Sequence, residues 1–69
     1  MHLEAIIQTI KQRRAELDVT QELLAELSGV GLRTLKGLEA GKGNPTLETL
    51  LKIAEVLGLE LKLEVKQLK

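Results

Sequence analysis

The sequence has no cysteine, phenylalanine, tyrosine or tryptophan, and only one histidine and one proline. Without cysteine there is no disulfide and no thiolate metal site. His2 alone cannot supply imidazole catalysis or a multi-histidine metal site. Without aromatic rings there is no stacking platform for single-stranded nucleic acid. An excess of one charge is lacking too. Ten basic and ten acidic residues cancel to a formal net charge of zero, so any attraction to a polyanion must come from a local patch. The longest apolar run is three residues, as in Ala5-Ile6-Ile7. No segment reads as a membrane span, no secretory leader is visible, and the cytoplasm is the expected compartment. The carboxylates are scattered beside basic residues and no nucleophile faces a base. The chain therefore does not read as an enzyme, and no cofactor is called for.

What the sequence has is leucine, 16 of 69 residues, within an apolar fraction of 43%. That suffices for one small core, and residues 1–69 read as a single domain. A domain of this size buries only about 60% of the surface its unfolded chain exposes. A partner subunit is the simplest way to add stability without cysteine or metal.

Leu3, Ile6, Ile7, Ile10, Arg14 and Leu17 recur at three- and four-residue steps, predicting a helix over about 2–17. Thr20 is a natural N-cap for a second helix over about 21–28, with Leu23, Leu24 and Leu27 inward. Gly29 stops it, and Val30 plugs the core at the turn. A third helix, about 32–40, turns Leu35 and Leu38 inward and Arg33, Thr34, Lys36 and Gly37 outward. After the turn-rich stretch Gly41-Lys42-Gly43-Asn44-Pro45, Thr46 caps a fourth helix over about 47–57. Its expected inner face is Leu47, Leu50, Leu51, Ala54 and Leu57, with Val56 on the opposite side.

Beyond Gly58 the period changes to two. Leu59, Leu61, Leu63 and Val65 alternate with Glu60, Lys62, Glu64 and Lys66, the mark of a half-buried strand over about 59–65. A lone strand leaves its backbone groups unpaired. The same segment of a second copy can supply the ladder, giving a two-stranded ribbon on a two-fold axis, with Val56 beside it. A frayed tail, or an extension of the fourth helix, is the alternative. The expected architecture is all-α for the most part, a bundle of four to five helices with one C-terminal β-strand paired across a homodimer.

Two short helices joined by a three-residue turn containing glycine outline a helix-turn-helix. The residues sharpen it. Thr20-Gln21-Glu22-Leu23-Leu24-Ala25-Glu26-Leu27-Ser28-Gly29-Val30, then Leu35, then Leu38-Glu39-Ala40-Gly41-Lys42 resembles the Xre/Cro-type phage-repressor helix-turn-helix family. Asn44-Pro45-Thr46 and the residues to Ala54 are similar to that family's fourth helix and cap, and the likeness covers about residues 6–58. The leucine-rich segment after Gly58 is similar to the HipB-like antitoxin branch, whose terminal strand joins two subunits.

The resemblance implies a double-stranded DNA-binding transcriptional repressor. Gln21 would contact a phosphate at a helix N-terminus, where free amides and the helix dipole favour an anion. The third helix would enter the major groove and read bases from Leu32, Arg33, Thr34, Lys36 and Gly37. Arg33 offers guanine a planar fork, and Lys42 would meet the backbone. Arg14 and Glu39 would form a structural ion pair between helices 1 and 3. Leu59, Leu61, Leu63, Val65 and Val56 would form the dimer contact. The branch further implies an antitoxin that represses its own operon beside a HipA-type toxin.

The sequence departs from the family pattern at Gly31, where a capping hydroxyl is common, and at Leu32, Gly37 and Ala40, where polar or basic residues often stand. These changes leave few base contacts, so specificity would be modest or carried by DNA shape. They also motivate a second reading, a protein-interaction module that keeps the fold without reading DNA. Residues 31–46 still carry Arg33, Lys36 and Lys42 against Glu39 alone. The glycines at 37, 41 and 43 lack the spacing of a phosphate-binding loop.

Overall fold

Residues 3–67 are described by the computed structural model. Among them the chain forms four helices, α1 (Leu3–Glu16), α2 (Gln21–Ser28), α3 (Leu32–Glu39) and α4 (Leu47–Leu57). The expected start of α1 at His2 lies outside the described residues. The helix ends at Glu16 rather than Leu17, where the N–H of Asp18 bonds the Ala15 carbonyl at 3.0 Å. Asp18 adopts φ +57°, the left-handed conformation that a short polar side chain tolerates better than most. This turn reverses the chain into α2.

Side-chain caps set two of the helix starts. The Thr20 hydroxyl accepts from the Leu23 N–H at 3.0 Å, and the Thr46 hydroxyl accepts from the Thr49 N–H at 3.1 Å. Each satisfies a donor that has no partner inside its helix. Gly29 and Gly58 end α2 and α4 at φ +75° and +69°, where a Cβ would be strained. The N–H of Leu59 then reaches back to the Ala54 carbonyl at 2.9 Å, which fixes the direction of the segment that follows.

Helices α1 and α2 each pack on both α3 and α4. The interior is built from Ile7, Ile10, Leu24, Val30, Leu35, Leu38, Leu50, Ile53 and Leu57, with Ala25 filling a narrow place beside them. The largest fully buried side chains are Leu24, Leu35, Ile53 and Leu57.

Several expected core positions are corrected. In α2 the inward stripe is Gln21, Leu24, Ala25 and Ser28, while Leu23 and Leu27 are exposed. In α4 it is Leu50, Ile53, Ala54 and Leu57, while Leu47 and Leu51 are exposed and Ile53 replaces them at the centre. Both stripes follow the i, i+3, i+4, i+7 spacing of one helix face. A helix has room for one such face against the core, so the leucines off it turn to solvent. Leu3, at the start of α1, and Leu17, just past its end, are likewise exposed. Val56, expected on the outer side of α4, is half-buried and packs against the core.

No strand occurs among the described residues. In the single chain, Leu59 and Leu61 are half-buried against the core, whereas Leu63 and Val65 are 91% and 95% exposed.

Candidate nucleic-acid interface

Helix α3 has two sides with different duties. Leu35, Leu38 and Glu39 face inward, and Arg33, Thr34 and Lys36 face solvent. The inward side is anchored by a charged clamp. Glu39 is only 7% exposed. Its Oε2 accepts from Arg14 Nε and its Oε1 from Arg14 Nη2, both at 2.9 Å. The remaining Arg14 nitrogen, Nη1, donates to the Val19 carbonyl at 2.9 Å. Gln21 Nε2 completes the set, donating to Glu39 Oε1 at 3.0 Å. One carboxylate thus ties α3 to α1, to the turn after α1 and to the start of α2.

Two parallel N–H···O bonds of a planar fork are strong and directional. The hydrogen bond to Glu39, opposed by burial and aided by the charges of Glu39 and Glu22, raises the Arg14 guanidinium above its ordinary value. The guanidinium therefore keeps its charge inside the clamp. The clamp holds α3 at a fixed rotation, with the exposed side outward. Among the described residues no buried side-chain nitrogen or oxygen lacks a hydrogen-bond partner.

The other ion pair among the described residues is Arg13 with Glu16 at 3.6 Å, so Arg33, Lys36 and Lys42 carry no carboxylate partner. All three are exposed. The N–H of Lys42 bonds the Gly37 carbonyl at 2.8 Å, and Gly41 adopts φ +77°. This closure fixes the Lys42 backbone just past the end of α3. Helix α3 stops at Glu39, one residue short of the expected Ala40. Ala40 still donates its N–H to the Lys36 carbonyl at 3.0 Å, so the difference is one of boundary definition.

The remaining candidates are placed less openly. Leu32 is half-buried and packs against the core. Its side chain is thus shared between the interior and the surface, which weakens the case for an apolar protein-docking patch there. Gly37 is half-buried, yet a Cβ built on it meets nothing within 4 Å. The helix does not require glycine at that position, and the gap it leaves lies on the same element as Arg33 and Lys36. Gly31 begins α3 without a side-chain cap. Gln21 has one amide hydrogen engaged with Glu39; the Leu23 and Leu24 amides are taken up by Thr20, which leaves the second Gln21 side-chain hydrogen and the backbone amides of Gln21 and Glu22 for an anion.

Two of the contacts that escaped the sequence reading bear on the site and on the end of α4. One is the Gln21–Glu39 bond. The other joins Arg13 Nε to the Leu57 carbonyl at 2.9 Å, across the end of α4. The capping preference of basic side chains for helix C-termini is the general signal for the second, but nothing in spacing pairs residues 44 positions apart.

The helix-turn-helix family profile matches residues 10–63, which spans α2, the Gly29–Gly31 turn and α3. The chain belongs to the helix-turn-helix family. An uncharacterized helix-turn-helix-type transcriptional regulator of Archaeoglobus fulgidus is 44% identical over 52 residues, covering 75% of this chain and 73% of the relative. One of Methanothermobacter thermautotrophicus is 45% identical, covering 74% of each chain. The cryptic phage CTXphi transcriptional repressor RstR of Vibrio cholerae is 34% identical over 81% of this chain and 50% of its own length. Within this helix-turn-helix, α2 packs on α3, and the free side of α3 is solvent-facing and carries Arg33 and Lys36. No helix among the described residues is long and apolar enough to cross a membrane.

Proposed function

We propose that the chain is a homodimeric, cytoplasmic transcriptional repressor that reads double-stranded DNA with α3. The coarse function, a DNA-binding transcriptional regulator, accords with its family and with relatives that carry that name. The observation that carries the finer reading is the division of α3. Arg33, Thr34 and Lys36 stand exposed and uncompensated, while Glu39 on the opposite side is locked to Arg14.

Arg33 presents two donors to a guanine edge, and Lys36, one turn on, reaches a base or phosphate. Thr34 adds a hydroxyl, and Gly37 lets the groove wall approach the helix backbone. Lys42 and the first turn of α2 at Gln21 meet phosphates, which position without specifying. Two copies would set their α3 helices about 34 Å apart, matching successive major grooves of a palindromic site.

The alternating segment 59–65 supports the pairing of two copies through Leu59, Leu61, Leu63 and Val65. It also supports a place in the HipB-like branch, with autorepression of an operon that encodes a HipA-type toxin. Val56 contributes less to that contact than its sequence position suggests, because it is half-buried in its own chain.

Selection of bound duplexes from a random pool, followed by titration against salt, tests the reading. Recovery of a two-fold symmetric site, with affinity falling steeply as salt rises, is the expected result. Recovery of no sequence, or an affinity indifferent to salt, overturns it.

A further inference from the structure

An open apolar groove of about 410 Å³ runs between α1 and α4. Ala5, Ile6 and Thr9 form one wall, Leu50 and Ala54 the other, and residues 59–62 the rim. Leu47 and Leu51, seven and three residues before Ala54, carry the apolar wall outward beyond the buried stripe, where both are exposed. Two further apolar side chains on the same tail, Leu63 and Val65, have almost no contacts of their own. Among the described residues no backbone hydrogen bond joins residues 60–67 to one another or to the helices. An unfilled groove and an uncovered apolar strand thus sit side by side on one molecule.

We infer that the tail of a second copy of this chain fills the groove, antiparallel to the resident tail and in register about Leu63. This rests on the homodimer reading above and adds a seat and a register. It does not depend on DNA.

Charge selects the register. In an antiparallel pair related by a two-fold axis, the residue on the axis decides which side chains stand opposite. With Leu63 on the axis, Lys62 faces Glu64 of the second copy and Glu60 faces its Lys66. Symmetry repeats both pairs, so every charge from 60 to 66 meets the opposite sign. With Lys62 on the axis, Lys62 faces its own copy and Glu60 faces Glu64. With Glu64 on the axis, Glu64 faces its own copy and Lys62 faces Lys66. Like charges directly opposite are destabilising, so both of these registers are disfavoured. With Leu61 on the axis only Glu60 and Lys62 find opposite charges, and with Val65 on the axis only Glu64 and Lys66 do, so the Leu63 axis alone pairs all four. A slip that sets odd residues against even ones places leucine opposite charge. On the apolar side, the Leu63 axis puts Val65 of the second copy opposite Leu61. Leu61 rims the groove, so that Val65 comes down over it and covers apolar surface that water now wets.

Charge exchange tests the register, read as self-association by sedimentation without DNA. Lys62→Glu sets Glu against Glu64, and Glu64→Lys sets Lys against Lys62. Each change is at an exposed position, and each is expected to weaken association by about tenfold or more. The double exchange Lys62→Glu with Glu64→Lys is expected to restore it. Tighter association of Glu64→Lys alone, or no rescue by the double exchange, overturns the register.

The seat is tested by cross-linking, for which a chain without cysteine is well suited. Thr9→Cys protein mixed with Val65→Cys protein is expected to give a disulfide-linked pair containing one of each. A chain carrying both substitutions that closes on itself as a monomer, Val65→Cys protein that links only to itself, or absence of any link overturns the inference. Loss of DNA binding with cross-linking intact would strike the regulator reading and leave this one standing.

Discussion

Arg13 Nε lies 2.9 Å from the carbonyl oxygen of Leu57, the last residue of α4. That carbonyl has no acceptor role inside its own helix, so a side chain from α1 supplies what the helix cannot. The contact joins the ends of α1 and α4 at the place where Gly58 turns the chain into the tail. A Cβ at Gly58 would come 3.7 Å from Arg13 Nη2, so the guanidinium also lies along the turn itself.

Arg13→Ala is expected to destabilise the fold by about 1 kcal/mol, the usual net value of one hydrogen bond that water can partly replace. The side chain is 38% exposed, which keeps the loss small. Urea midpoints with an unchanged slope would verify this. A loss of several kcal/mol would mean that the contact organises more than the end of α4.

The Arg14–Glu39 clamp behaves differently, because Glu39 is buried. Arg14→Met leaves a carboxylate in the interior with only Gln21 to satisfy it, and a cost of about 3–5 kcal/mol is expected. Arg14→Met combined with Glu39→Leu removes both charges and should recover most of that loss. A thermodynamic cycle over the two single variants and the double variant reads the coupling. Additive losses would refute the picture of one shared clamp.

Gly37→Ala separates folding from reading. The site has helical backbone and open space around the missing Cβ. Alanine should stabilise the fold by about 0.5–1 kcal/mol through the unfolded chain's lost freedom, seen as a rise of several degrees in Tm. If the backbone at Gly37 lies against a groove wall, the same substitution weakens DNA binding while the Tm rises. Calorimetry and operator titration on one preparation check both signs.

Arg33 and Lys42 should fail in different ways. Arg33→Ala is expected to cost about 1–3 kcal/mol on the preferred duplex and to relax the choice at one base pair. Lys42→Ala should weaken all duplexes alike and reduce the slope of log affinity against log salt by about one. Identical profiles for the two variants would contradict the separate roles assigned to them.

Much of this was legible before any coordinates. Thr20, Gly29, Thr46 and Gly58 mark helix ends by local chemistry alone, so the boundaries of α2 and α4 follow from the text of the sequence. The inner faces do not follow as simply. Leucine at nearly every third position in α2 and α4 supports more than one stripe, and hydrophobicity cannot choose between them. Gln21 and Ser28 are polar, so the stripe they share with Leu24 and Ala25 is easily passed over. What selects it is tertiary, since Gln21 has a buried carboxylate to bond while Leu23 is left 42% exposed. Ile53 was missed for the same reason. The exposed α3 residues Arg33, Thr34 and Lys36 were legible because the helical period places them opposite Leu35 and Leu38. For residues 59–65 the alternation states which side chains share a face, but a single chain holds no ladder to set beside it.

Because α3 keeps its folding contacts and its free side chains on opposite sides, the two can change independently. Arg33, Thr34 and Lys36 touch nothing that the core needs, so a new target sequence could be acquired through two or three surface replacements without re-solving the packing. The immovable part is the reverse side, where Arg14, Gln21 and Glu39 would have to change together. A scaffold of this kind is easy to diversify by address and hard to diversify by shape.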